Sequence, residues 1–94
     1  MPISYRASQN IIKRGDDGAL RKALNERLDP NLTNPNGWSL LMLAAVEGNV
    51  VLGRTLLEKG ASSTTANSKG ETAQSIAASR GHQPFVDLLN EQEA

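Results

Sequence analysis

The apolar residues of this chain fall in short bursts at helical spacing, and glycines or turn formers separate one burst from the next. Tyr5, Ala7, Ile11 and Ile12 make the first burst, with Ser4 ahead as an N-cap and Gly15 behind. That arrangement predicts a short helix over 4–14. Asp16 or Asp17 then caps a second helix over 19–28, whose Ala19, Leu20, Ala23, Leu24 and Leu28 share one face. Pro30 lacks an amide hydrogen and restricts its predecessor, so Asp29-Pro30-Asn31 is expected to stop this helix. Ser39 caps a third helix, LLMLAAVE, with Leu41, Ala44 and Ala45 facing inward and Gly48 as terminator. A fourth, VVLGRTLLEK, turns Leu52, Leu56 and Leu57 to the core and closes on Gly60. Thr72 caps a fifth, TAQSIAASR, which ends at Gly81. Pro84 occupies the first turn of the sixth, and Phe85, Val86, Leu88 and Leu89 form its stripe. The polar tail 90–94 is expected to fray.

One residue breaks the pattern. Gly53 lies in mid-helix, where it costs roughly 1 kcal/mol against alanine. Either a neighbouring backbone approaches closely there, or this helix is weak. Between the helix pairs, 31–37 (NLTNPNG) and 61–70 (ASSTTANSKG) are runs of turn formers. Asn36-Gly37 is a tight-turn signal, because both residues tolerate positive φ. No long strand flanks either run, so each is read as a projecting, hairpin-like finger.

The order helix, glycine turn, helix, finger then repeats. Gly37, Ala44, Ala45 and Gly48 return as Gly70, Ala77, Ala78 and Gly81, each 33 residues later, and Gly15 stands 33 residues before Gly48. A fixed period of this kind marks a repeat architecture in which each unit buries its apolar face only by stacking on neighbours. Units are expected at 4–33, 34–66 and 67–92, the outer two acting as caps.

Composition narrows the chemistry. The chain has 94 residues, one small domain, with ten basic and ten acidic side chains and no net charge. No net field recruits nucleic acid or an anionic membrane. Cysteine is absent, which removes disulfides, thiol nucleophiles and cysteine-based zinc sites. Aromatics are limited to one Trp, one Tyr and one Phe, so Leu, Val, Ile and Ala must build the core. Nothing at the start of the chain has the form of a secretory signal, and no apolar run reaches the roughly 20 residues of a membrane span. The cytoplasm is the expected location, with the nucleus as the alternative. Asn31-Leu32-Thr33 fits the N-glycosylation pattern and is read as a chance match.

The stretch NPNGWSLLMLAAVEGNVVLGRTLLEKGAS resembles an ankyrin repeat. The family pattern of Gly, Thr-Pro-Leu-His, Ala-Ala, Gly-His, Val-Val, Leu-Leu and Gly-Ala is filled here in order. Its slots hold Gly37, Ser39-Leu40-Leu41-Met42, Ala44-Ala45, Gly48-Asn49, Leu52-Gly53, Leu56-Leu57 and Gly60-Ala61. The next unit supplies Gly70, Thr72-Ala73-Gln74-Ser75, Ala77-Ala78, Gly81-His82, Phe85-Val86 and Leu88-Leu89. The first keeps Gly15, Ala19-Leu20, Ala23-Leu24 and Asp29-Pro30-Asn31. Two departures stand out: the Pro and His of the tetrad are missing from both later units, and Arg27 occupies the slot of Gly60. The resemblance implies an all-α solenoid of stacked helix-turn-helix pairs with β-turn fingers, and a role in binding another protein.

Catalytic chemistry has no foothold. The single histidine, His82, falls in the Gly-His slot and is read as a hydrogen-bonding residue at a helix start. The carboxylates are scattered, and Asp16-Asp17 is explained by the positive end of a helix dipole. No phosphate-binding glycine loop, metal cluster or cofactor motif is found, so the expectation is neither enzyme nor cofactor protein. The basic residues Lys13, Arg14, Arg21, Lys22 and Arg80 are interrupted by acids and lack an aromatic platform, which speaks against nucleic acid.

Ankyrin-like stacks bind through finger tips and the exposed face of the inner helices. Carried over by slot, the tips are Pro35, Asn36 and Trp38 on the first finger and Ser68, Lys69 and Glu71 on the second. The inner helices contribute Val46-Glu47, Ser79-Arg80 and, from the first unit, Lys13-Arg14. Trp38 is singled out because tryptophan is enriched in binding hot spots. The competing reading folds Trp38 back over Tyr5 or the first inner helix. A monomeric adaptor, scaffold or inhibitor is the expected role; the alternative is a subunit that stacks on copies of itself.

Overall fold

The computed structural model describes the backbone of residues 4–93 and the side chains of residues 4–91. Six helices follow one another: α1 (Tyr5–Arg14), α2 (Asp17–Asn25), α3 (Leu40–Glu47), α4 (Val50–Glu58), α5 (Ala73–Ser79) and α6 (Gln83–Glu93). Helices α1, α3 and α5 stack as an inner row, and α2, α4 and α6 as an outer row behind it. The extended backbone is limited, among the described residues, to a single antiparallel bridge between Thr33 and Ser39. The sequence-expected all-α stack is what the chain adopts.

Local chemistry sets the helix boundaries. The Ser4, Asp16, Ser39 and Asn49 side chains each accept the amide of the residue three positions on, at 3.1–3.2 Å. Thr72 and Ser75 do so reciprocally in a capping box. Each inner helix ends in the same way. Gly15, Gly48 and Gly81 have φ of 72°, 67° and 75°. The residue after each sends its amide back five positions, as in Asn49 to the Ala44 carbonyl at 3.1 Å and His82 to the Ala77 carbonyl at 2.8 Å. This is the αL turn that closes a helix and reverses the chain into its outer partner.

Helix α2 departs from the expected range. It ends at Asn25, not at Leu28, so Pro30 is not what stops it. Arg27 adopts φ +83°, the only positive value at a non-glycine among the described residues, and the Leu28 amide returns to the Ala23 carbonyl at 2.9 Å. Arg27 thus takes the left-handed conformation that Gly60 takes one period later, at the steric cost a Cβ imposes there. At the other end, α6 continues to Glu93, past the point where fraying was expected, and Gln74 donates to Asn90 at 3.0 Å. Residue 94 lies outside the described residues.

The core runs through all three layers. Leu20, Leu40, Met42, Ala44, Ala45, Leu52, Leu56, Phe85 and Leu89 are completely buried. In α3, Leu40 and Met42 join the expected Leu41, Ala44 and Ala45, because α1, α4 and α5 cover it on three sides. The seam between α4 and α6 explains Gly53. A Cβ built there would lie 2.6 Å from the Phe85 ring and 3.0 Å from Leu88. The close neighbour is therefore an aromatic side chain, not a backbone, and the fully buried ring has no free space to retreat into.

The seam between α2 and α4 is polar. Thr55, fully buried, donates its hydroxyl to Asp17 Oδ1 at 2.6 Å, and Arg21 Nε donates to Asp17 Oδ2 at 2.9 Å. Burial pushes the Asp17 carboxyl up, but the Thr55 and Arg21 bonds outweigh it and leave the group below the ordinary aspartate value. Its folded-state value being depressed, Asp17 stabilises the fold above the unfolded aspartate range and loses that contribution as pH falls through the folded value.

Two outcomes follow. Gly53→Ala, which in an open helix would gain up to about 1 kcal/mol, should here lose about 1–3 kcal/mol through overpacking against Phe85 in a denaturant melt. Thr55→Val should lose about 1–2 kcal/mol near neutral pH and flatten the fall in stability on acidification below about pH 5. An unchanged acid limb in that variant would detach Asp17 from the seam.

Candidate protein-binding face

The three inner helices lie side by side with their C-terminal ends in one row. Because the period is 33, Lys13, Val46 and Ser79 occupy equivalent positions, as do Arg14, Glu47 and Arg80. All of these are exposed except Val46, which is half-buried. The structure thus gathers the inner-helix residues chosen from sequence into one mixed-charge strip. The fingers rise at the opposite end, ahead of Leu40 and Ala73, so the strip and the fingers are separated by the length of a short helix, about 12 Å.

Between α1 and α3 the face is indented. A cleft of about 170 Å³ is lined by Gln9, Ile12 and Lys13 from one helix and Leu43, Val46 and Glu47 from the other. Its floor is apolar and its rim carries Lys13 and Glu47, of opposite charge. Gln9, Ile12 and Leu43 were not chosen from sequence. For Gln9 and Leu43 the signal was present, since each lies one helical turn before a chosen residue on the same face, whereas Ile12 was read only as a core residue of its helix.

The fingers are built on two asparagines one period apart. Asn34 Oδ1 accepts the amides of Asn36 at 3.0 Å and Trp38 at 2.9 Å. Asn67 Oδ1 does the same for Lys69 at 2.9 Å and Glu71 at 3.0 Å. In each finger the backbone closes as well: the Gly37 amide donates to the Asn34 carbonyl and the Gly70 amide to the Asn67 carbonyl, both at 2.9 Å. The fingers are also joined to each other, the Ser68 amide donating to the Asn36 carbonyl at 3.0 Å. That bond ties the fingers in a chain whose tetrads lack the family's histidine.

The tip residues divide into two groups. Pro35, Asn36, Ser68 and Lys69 are exposed. Glu71 is half-buried, and its carboxylate accepts from Asn67 Nδ2 at 2.9 Å, so it braces the turn. Trp38 is half-buried and packs against the hydrophobic core, with its backbone held by Asn34 at both amide and carbonyl. Its ring therefore has a share in the fold whatever else it contacts. Nearer the outer row, Asn31 spans two units, donating to the Gly60 carbonyl at 3.1 Å and accepting the Ser62 amide at 2.7 Å.

His82 opens α6 as expected, its carbonyl accepting the Phe85 and Val86 amides at 3.0 and 3.2 Å, and its side chain has a second task that spacing did not reveal. Its Nε2–H donates to the Val46 carbonyl at 3.1 Å, and its ring fills the space a Cβ at Gly48 would need. The third unit thus holds the C-terminal end of α3 directly below the strip. None of the described helices is long and apolar enough to cross a membrane.

Comparison with known proteins agrees with this geometry. Residues 7–94 match the family model for ankyrin repeats in three copies. The chain is 32% identical over 93 residues to the Notch-regulated ankyrin repeat-containing protein of Xenopus laevis, covering 95% of this chain and 82% of that protein. It is 41% identical over 68 residues to the ankyrin repeat and KH domain-containing protein mask of Drosophila melanogaster, covering 70% of this chain and 2% of that protein. A match of 39% over 59 residues to the NAD-capped RNA hydrolase NUDT12 of Macaca fascicularis covers 13% of the hydrolase.

The finger design is tested by a pair of substitutions. Asn67→Ala strips the partners from the Lys69 and Glu71 amides and should cost roughly 2–3 kcal/mol in a chemical melt, with faster amide exchange at both. Asn36→Ala, which removes an exposed side chain, should stay within about 0.5 kcal/mol of the parent.

Proposed function

The chain belongs to the ankyrin repeat family, and on that footing we propose that it is a non-catalytic binding module, an adaptor, scaffold or inhibitor, that holds a partner protein against its inner-helix strip and finger tips. Ankyrin repeats generally mediate protein–protein interaction. The observation that carries the finer reading is the alignment of Lys13-Arg14, Val46-Glu47 and Ser79-Arg80 in one exposed row beside an apolar cleft. A patch of that kind offers an apolar anchor with a charged rim, the composition of a protein interface. Its alternating charges favour orientation and partner choice over a bulk attraction. In this reading the end pairs, 4–33 and 67–92, act as caps on the central unit 34–66, and the strip is presented by a monomer.

Affinity capture with the folded chain, followed by binding measurements on the captured partner, tests this. Glu47→Lys and Arg80→Glu should each weaken binding about tenfold or more, which is about 1.4 kcal/mol, with unchanged melting. Val51, exposed on the outer row, supplies the control: Val51→Lys should bind as the parent does. Loss of binding in the control with full binding in the strip variants would move the interface to the outer helices.

A further inference from the structure

The tip of the first finger brings together an exposed asparagine, a following glycine and a turn that couples to the neighbouring finger. We propose that Asn36 is a site of spontaneous deamidation and isoaspartate formation, and that this reaction uncouples the two fingers.

The chemistry needs only water and a base. A base removes the proton of the Gly37 amide, and the nitrogen attacks Cγ of Asn36. The Cγ–Nδ2 bond breaks and ammonia leaves, taking up the proton, so that a five-membered imide remains. Water then opens one of the two carbonyl–nitrogen bonds. One opening leaves aspartate at position 36; the other leaves isoaspartate, with the main chain running through the former side-chain carbon. Nothing is oxidised or reduced.

The structure singles out this residue among the asparagines. Gly37 has no side chain to screen the attacking nitrogen, and Asn36 is exposed, its side-chain carboxamide making no hydrogen bond among the described residues while only its backbone is held. Asn34 precedes Pro35, which has no amide hydrogen to lose. Asn67 is 6% exposed, and both ends of its amide are committed, Nδ2 to Glu71 and Oδ1 to two backbone amides. Asn31 is bonded at both ends, and Asn25, Asn49 and Asn90 each accept through Oδ1. Asn10 is unbonded, but the branched Ile11 follows it within a helix. One restraint applies at Asn36 itself: the Gly37 amide is held by the Asn34 carbonyl at 2.9 Å. The turn must open before the nitrogen attacks, so the fold slows the reaction without closing it off.

The product alters the site. The Asn36 carbonyl accepts the Ser68 amide, the bond that joins the fingers. In isoaspartate that carbonyl is a free carboxylate outside the main chain, and the chain between position 36 and Gly37 is one carbon longer. Gly37 already sits so close to the second finger that a Cβ on it would lie 3.0 Å from Asn67 Cα, so a lengthened chain has no room in the same path.

The folded chain, incubated in mildly alkaline buffer at physiological temperature, should be digested at intervals and read by fragmentation that separates aspartate from isoaspartate. Asn36 should lose its amide before Asn67 and the other asparagines do. It should do so several-fold more slowly than the same chain held in denaturant, and the aged protein should melt at a lower temperature. Asn36→Gln, which would have to form a larger ring, should keep its mass and melting temperature over the same interval. The proposal is overturned if the folded chain keeps the Asn36 amide while the denatured chain loses it, if Asn67 reacts first, or if converted protein melts like the parent.

Discussion

A helix of eight residues such as α3 has too few hydrogen bonds to persist alone in water, where isolated helices shorter than about 12–15 residues are marginal. Most of its side chains also require cover, since Leu40, Leu41, Met42, Ala44 and Ala45 are all buried and only the edge with Leu43, Val46 and Glu47 meets solvent. Coverage from both neighbours is the condition for its existence. Helices α1 and α5 are themselves short and polar on the outside, and they gain their order from the surface α3 offers. Each layer is thus a ligand for the next. The exposed strip inherits its geometry from that dependence, because residues one period apart can only line up if the layers repeat their packing.

The two seams behind the inner row meet this requirement by different means. Between α2 and α4, a threonine hydroxyl with no exposure finds a carboxylate held in place by an arginine, so a buried polar group is satisfied at short range. Between α4 and α6, a ring presses on a helix backbone stripped of its side chain. Both solutions use residues that look wrong in their own helices, a β-branched polar residue on the buried side and a glycine in mid-helix. Their logic lies on the facing helix.

That is where sequence reading reached its edge. The caps Ser4, Ser39 and Thr72 and the glycines that end the inner helices were legible, because their work is done within a few residues of themselves. Gly53 was visible as an anomaly, but its cause stands at Phe85. Thr55 was not singled out, because its partner Asp17 is a whole unit away. Arg27 could be placed in a glycine slot, yet only the backbone shows that it adopts the glycine's conformation and ends α2 early. In the binding face, the periodic residues Lys13, Val46, Glu47 and Arg80 were legible from spacing. The bracing role of Glu71 and the half-burial of Trp38 depend on Asn67 and on the core beneath, which spacing does not describe.

The glycine under the Phe85 ring also makes the two outer seams non-interchangeable. One period after Gly53 the chain carries Val86, a residue with a branched side chain. A further unit copied from the last one would bring its own phenylalanine down onto that valine, where no hollow awaits it. The second and third units are therefore matched to each other by shape, and neither outer helix could stand in for the other.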